Sequence, residues 1–224
     1  MPMKKPVIVS LLLIAAMLGL SAWAWQVTPA FIASHWGADG KPNGHMAKGM
    51  VLLLQPAIAL GVTALFAFLP VIEPRRANLL ASQKLYFSAW YGVVGLMAVV
   101  HAAIVLNAAG IHIDVPRWVM AAVGVLFMVL GNFLGKSHPT FFVGLRTPWS
   151  LSSNEAWEKS NRVAGYWLAA TGLVTLPAAL FGGIKEAVAI LVAGSLLGVI
   201  AGTLTSYVTW KRDPHRTTQE VAHE

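Results

Sequence analysis

The chain has 224 residues, 57% of them hydrophobic and only 11% charged, with a net charge of +7 and no cysteine. A soluble domain carries about 25% charged residues. Here the charges are nearly absent from six long apolar runs, which argues against a soluble domain. The missing cysteine excludes a disulfide framework, a thiolate metal site and a cysteine nucleophile. A membrane-crossing helix needs about 20 apolar residues, and continuous rather than alternating polarity disfavours a transmembrane barrel. The composition predicts an all-α, polytopic integral membrane protein with six transmembrane helices.

The first run, residues 7–25, follows Lys4 and Lys5 and resembles a secretory signal, with Ala22-Trp23-Ala24 as a cleavage pattern. It is longer than the roughly 7–15 residues of a signal core, so it reads as a retained first span. Residues 26–49 form a polar loop containing Pro29, His35, Trp36, Gly37, Asp39, Gly40, Pro42, Gly44, His45 and Lys48. The second span covers 51–69, with Pro56 in its first turns, where a missing backbone donor costs little. A polar connection over 73–84 leads to the third span, 86–106, which contains His101; Pro116 then starts the fourth, 118–134. Residues 131–151 concentrate glycine, proline, aromatics and cations. Ser152 to Glu155 matches a capping box, opening an amphipathic segment through Trp157 and Arg162 into the fifth span, 163–181, with Pro177 as a kink. Gly182 and Gly183 lead into the sixth, 187–208, as an antiparallel hairpin. The division is a two-helix unit over 1–70, a four-helix unit over 71–210 and a cytoplasmic tail over 211–224.

With both termini in the cytoplasm, Lys4, Lys5, Arg75, Arg76, Lys84, Lys136, Arg146, Lys159, Arg162, Lys211, Arg212 and Arg216 lie inside. Lys41, Lys48, Arg117 and Lys185 lie outside. The positive-inside rule therefore predicts N-in/C-in, multi-pass insertion in the cell (inner) membrane. This placement explains the basic charge without direct nucleic-acid binding. Trp23, Trp25, Trp36 and Trp118 fall at the outer interface, and Trp90, Trp149, Trp157, Trp167 and Trp210 at the inner one, as an aromatic belt. Gly194, Gly198, Gly202 and Ser206 form a small-residue stripe that packs a helix of the same chain or seams a homodimer.

His35, Asp39 and His45 are zinc-type ligands, but no helix sets their spacing and no fourth ligand is evident. A compact turn freed by Gly37, Gly40 and Gly44 is the better reading; it presents a His-Trp edge to a peptide or lipid headgroup. His101 is either a functional intramembrane group or a neutral imidazole bonded to backbone or to a Ser or Thr. No Asp or Glu lies within the apolar spans to relay protons, which argues against a proton-coupled transporter or an aspartyl protease. Asn132 is placed to bond backbone across a helix pair. Arg146 offers five donors to helix-end carbonyls, a carboxylate or a lipid phosphate. Pro148 forces Thr147 out of the helical region, and Trp149 anchors the turn. That stretch reads as an inner clamp between the fourth and fifth spans, as a docking surface for a cytoplasmic partner, or as a phospholipid site.

Gly131-Asn132-x-x-Gly135-Lys136, then Phe142-x-Gly144-x-Arg146-Thr147-Pro148-Trp149-Ser150-Leu151, then Trp157 and Arg162, resemble the SdpI family, whose namesake gives immunity to the sporulation-delaying toxin. The stretch with Pro29, His35, Trp36, Gly40, Lys48 and Pro56 resembles the small domain of unknown function that commonly precedes it. Thr140 and Asn161 depart from the family pattern, which often has Asn and His there. The resemblance implies a non-enzymatic membrane immunity or sensor protein without cofactor or metal. It implies protection against a secreted toxic peptide and, inside, retention of an ArsR-type repressor at the membrane. The residues it implicates are Gly131, Asn132, Arg146, Thr147, Pro148, Trp149, Trp157 and Arg162 on the inner face, and His35, Trp36, Gly40 and Lys48 on the outer. The alternatives are a small amphiphile or peptide transporter or flippase, and a metal-dependent membrane enzyme built on the outer loop.

Overall fold

A computed structural model describes residues 2–216; the rest of the tail expected over 211–224 lies outside the described residues. The elements in order are α1 (Lys4–Ala24), β1 (Phe31–Trp36), β2 (Pro42–Ala47), α2 (Lys48–Ile72), α3 (Arg76–Ala81), α4 (Gln83–Ala108), α5 (Val115–Leu134), α6 (Pro148–Leu151), α7 (Asn154–Phe181) and α8 (Ile184–Arg212). Six of them, α1, α2, α4, α5, α7 and α8, are long and apolar enough to cross a membrane, and the protein is a multi-pass, all-α membrane protein. One face of the bundle carries the β1–β2 hairpin and the other the described ends of the chain. Large apolar side chains such as Leu12, Val71, Leu173 and Leu204 point outward. Much of what packs inside is small or polar, as suits helices whose surroundings are already apolar.

The helices group three and three. α1 lies against α2 and α4, α5 and α8 both lie against α7, and the two sets meet chiefly where α4 packs on α5. A division at residue 70 therefore does not separate the helices in space, because α4 belongs with α1 and α2. The buried seam of α1, Ser10, Ile14, Met17, Ser21 and Ala24, recurs every three or four residues, and its hydroxyls are used. Trp90 Nε1 donates to Ser10 Oγ at 3.0 Å, and Ser21 Oγ donates to the Leu52 carbonyl at 2.7 Å. The first span is thus fastened into the bundle.

The Ser21 bond has a covalent cause. Pro56 has no N–H, so the Leu52 carbonyl one turn earlier loses its helical donor, and there is no water in a bilayer to replace it. Ser21 supplies the replacement from α1. Pro70 strands the Phe66 carbonyl in the same way, and the Tyr86 hydroxyl donates to it from α4. Both prolines of α2 are therefore compensated from neighbouring helices. His101 joins this network, its Nε2 lying 3.0 Å from Ser21 Oγ and 3.2 Å from the Met17 carbonyl. Since the Ser21 proton is committed to Leu52, the network assigns the His101 proton to Nε2. His101 is thus bonded to backbone and to a serine, while its Nδ1 is buried without a partner among the described residues.

On the other side, glycines bring backbones together. A Cβ on Gly131 would sit 2.5 Å from the Gly165 carbonyl, and one on Gly165 would sit 2.7 Å from that of Gly131. Gly124 and Gly172 repeat the approach two turns away, so α5 and α7 touch backbone to backbone. Gly194, Gly198 and Gly202 face Thr171, Trp167 and Ala164 of α7, so the neighbour of that stripe is a helix of the same chain.

Two local expectations change. α7 is capped by Ser153, whose hydroxyl accepts from Ala156 N, while Glu155 pairs with Lys159 instead of closing a box with Ser152. The helix runs from Asn154 into the span without a break, as expected, with Pro177 inside it. Trp90 and Trp157 are core residues, 0% and 1% exposed, because each indole N–H has a partner inside the bundle.

Tyr86→Phe should cost about 1–3 kcal/mol by orphaning the Phe66 carbonyl. In a Pro70→Ala background the new amide takes that carbonyl, and the penalty should largely disappear. Unfolding of the purified variants in mixed micelles measures both; equal penalties in the two backgrounds would contradict the assignment.

Candidate functional site

The hairpin that replaces the expected compact turn pairs Phe31 with Ala47 and Ile32 with Met46, with irregular register around His35. At its tip Gly37 N donates to the Lys41 carbonyl and Lys41 N to Asp39 Oδ1. Only Gly40 of the three loop glycines needs its freedom, at φ 78°, since Gly37 and Gly44 are not in the left-handed region. A Cβ there would lie 3.0 Å from Ile184 Cγ2, so the tip rests on the first residue of α8. Lys48 Nζ donates to the Trp25 carbonyl at 3.0 Å and lies over its ring, closing the base. The hairpin thus reaches from α1 and α2 to α8, across the boundary between the two helix groups.

His35 and Trp36 lie at a crevice of about 410 Å³ beneath the hairpin, lined also by Gln55, Ile104, Val119 and Ile184. That volume falls within the range of small-ligand pockets. His35 Nδ1 is 2.5 Å from Asn43 Oδ1, so His35 is tied to the opposite strand. Among the described residues no three histidine or acidic side chains converge to hold a metal ion.

On the opposite face, residues 135–147 leave helical geometry, and each freed amide needs a partner. The His138 amide donates to Ser82 Oγ, and the Phe141 amide to Glu73 Oε2 at 3.1 Å. Glu73 is buried and also accepts from Arg75 N. Asn78 Nδ2 reaches the Pro139 carbonyl at 2.8 Å, and the Trp157 indole reaches that of Ser137 at 2.9 Å. Thr140, fully buried, uses one hydroxyl to hold both the amide and the carbonyl of Val143. Asn161, also fully buried, accepts from Leu145 N at 2.6 Å and donates to the Leu145 carbonyl and to that of Trp157. Gly144 stands at φ 110° against the Trp157 ring, where a Cβ would be 2.6 Å away.

Pro148 sets Thr147 extended at ψ 159°, and Thr147 and Ser150 cap each other's backbone to start α6. Thr147 Oγ1 then meets Ser206 Oγ of α8 at 2.5 Å, and Trp149 packs edge-on against Tyr207 with centroids 5.1 Å apart. Arg75, over the Phe141 ring, donates to the Leu151 carbonyl. This loop too spans the helix groups, held by the α2–α4 junction on one side and by α7 and α8 on the other.

Of the sequence candidates, Thr147, Trp149 and Trp157 are part of this fastening. Arg146 is not the clamp between the fourth and fifth spans: it is exposed and donates to Phe141 O within its own loop. Asn132 is exposed at the end of α5 and accepts from Lys136 Nζ, not from a helix across the pair. Gly131 acts in the α5–α7 contact, and Arg162 is paired with Glu158 at the surface. Glu73, Asn78, Ser82 and Asn161 were missed as fasteners. The one signal in the sequence was that Thr140 and Asn161 stand where the resemblance leads to an expectation of Asn and His.

Residues 136–208 match the model of the SdpI/YfhL protein family, and residues 12–60 match a domain of unknown function, DUF1648. The chain is 24% identical over 210 residues to the immunity protein SdpI of Bacillus subtilis (strain 168), covering 94% of this chain and 98% of that one. No solved structure matches it. The SdpI-like segment holds most of the inner loop, α6, α7 and nearly all of α8, while the DUF1648 segment holds the hairpin.

Asn161→Leu should cost about 2–4 kcal/mol, since the Leu145 amide and carbonyl both lose a buried partner. Gly144→Ala should be comparably damaging through its φ and the Trp157 contact, whereas exposed Arg146→Ala should stay within about 0.5 kcal/mol. Thermal unfolding in detergent ranks them. Asp213, at the end of α8, is held below the usual carboxylate range by the Ser153 hydroxyl at 2.5 Å and then by the His215 amide. A depressed folded value means this tie is complete above the ordinary carboxylate pKa and lost as pH falls through the folded one. Protease access around residue 213 should therefore rise in acid, and Asp213→Asn should abolish that pH dependence.

Proposed function

We propose that the protein is a non-enzymatic membrane immunity protein that protects its cell against a secreted toxic peptide. The observation that carries this reading is the match along nearly the whole length of both chains to a protein named for immunity. The fold accords with it in carrying a polar structure on each face of the helix bundle, the hairpin on one and the 135–147 loop on the other. In this reading the chain lies N-in/C-in, with the hairpin outside. The toxic peptide meets His35, Trp36, Gly40 and Lys48, with an apolar side chain entering the crevice under the hairpin. Because the hairpin tip bears on Ile184, occupancy shifts α8 relative to α2 and α4. The inner loop, tied to α8 through Thr147 and Trp149, carries that shift to the cytoplasmic face. There its surface at Arg146, Pro148 and Trp149 is the docking site for a repressor of the ArsR type.

Deleting the gene should sensitise cells to secreted toxic peptide, measured as survival in co-culture with a producer. Wild type should restore survival and Trp36→Ala should not, with membrane levels matched by immunoblot. Trp149→Ala should restore protection while failing to hold a fluorescently tagged repressor at the membrane. Unchanged survival on deletion would contradict the immunity reading.

A further inference from the structure

The exposed cations beside the α5–α7 contact have no part in the fastening above. Gly131, Asn132, Gly135, Lys136, Arg162, Tyr166 and Ala169 surround a cavity of about 470 Å³ on the outer surface of that contact. Its floor is backbone, because Gly131 lies against Gly165 and Ala169, and Gly135 lies against Arg162, where a Cβ would be 2.8 Å from Cα. Lys136 is the first charge after the apolar run of α5, and Arg162 the last before the apolar run of α7, so both sit at the membrane boundary. Lys136 Nζ is held at the rim by Asn132 Oδ1 at 3.3 Å, while Arg162 is paired with Glu158 of its own helix, a carboxylate that competes for it. One turn further along α7, Tyr166 is 70% exposed, and its hydroxyl makes no hydrogen bond to the described residues.

We infer that this cavity seats the headgroup of an anionic phospholipid, with Lys136 and Arg162 on the phosphate and Tyr166 on the glycerol–ester region below. Charge and depth select the occupant. Two cations outweigh the one carboxylate, Glu158, and the tyrosine lies where acyl chains begin. Arginine suits a phosphate because its donors are arranged as a planar fork. The glycines that close the helix contact also keep the cavity open, which gives Gly131, Asn132, Gly135, Lys136 and Arg162 one shared role. This assignment stands independently of the immunity reading.

The test uses the full-length protein in a neutral detergent, titrated with phosphatidylglycerol or phosphatidylcholine and followed by native mass spectrometry and thermal unfolding. Wild type should retain phosphatidylglycerol in preference to phosphatidylcholine and melt higher with it. Lys136→Gln with Arg162→Gln should weaken phosphatidylglycerol at least about tenfold, from two surface cations removed. Glu158→Gln, which removes the competing carboxylate, should tighten it. Arg76→Gln with Lys84→Gln, exposed cations on the same face, should leave it unchanged. Equal retention of the two lipids by wild type, or equal losses in the two double variants, would overturn the site; so would an unaltered affinity in Glu158→Gln.

Discussion

Inside a bilayer no water replaces a lost backbone hydrogen bond, and this constraint organises the whole molecule. The chain breaks helical bonding in two ways. Pro56 and Pro70 strand single carbonyls inside α2, and the segment between α5 and α6 abandons helical geometry altogether. Around Pro56 and Pro70 the repair comes from Ser21 and Tyr86 of neighbouring helices, and along the loop from Ser82, Glu73 and Asn161. A break in one helix thereby becomes a bond to its neighbour, and the polar residues that repair the backbone also specify which helices touch.

The two membrane faces share one logic. The helices assort into two sets of three, and besides the α4–α5 contact each face has a non-helical structure that crosses the boundary. The hairpin does so through Gly40 on Ile184, and the inner loop does so between the α2–α4 junction and α8. Both bridges end on α8. The helix that Gly40 rests on at Ile184 is thus the helix that holds Thr147 through Ser206 and Trp149 against Tyr207.

The spans were legible in the sequence because hydropathy and length alone determine what can cross a bilayer, and the helices extend the apolar runs by little more than their polar end turns. The inner loop was recognisable as special from its Gly144, Pro148 and Trp149. What held it was not legible, since Glu73 and Asn78 lie 68 and 61 residues from their partners and meet the loop only through the three-dimensional path of the chain. Arg146 drew attention as the most versatile donor in the stretch, yet a buried amide such as Asn161 can satisfy both polarities of the backbone, which a guanidinium cannot. The hairpin escaped notice because its strands carry Gly44, Pro42 and a bulge in place of alternating β-branched residues. The tryptophans misled for a related reason: Trp90 and Trp157 face inward, and hydropathy does not report which way a side chain points.

The central claim is that the inner loop is a fixed bridge, held by side chains as firmly as a helix is held by its own backbone. Hydrogen exchange of the protein in lipid nanodiscs tests it directly at the His138, Phe141, Val143, Leu145 and Thr147 amides, each bonded to a side chain rather than to a helical carbonyl. The account predicts that these amides exchange as slowly as those in the first turns of α7. Exchange as fast as that of Ala38 and Asp39 at the exposed hairpin tip would contradict it.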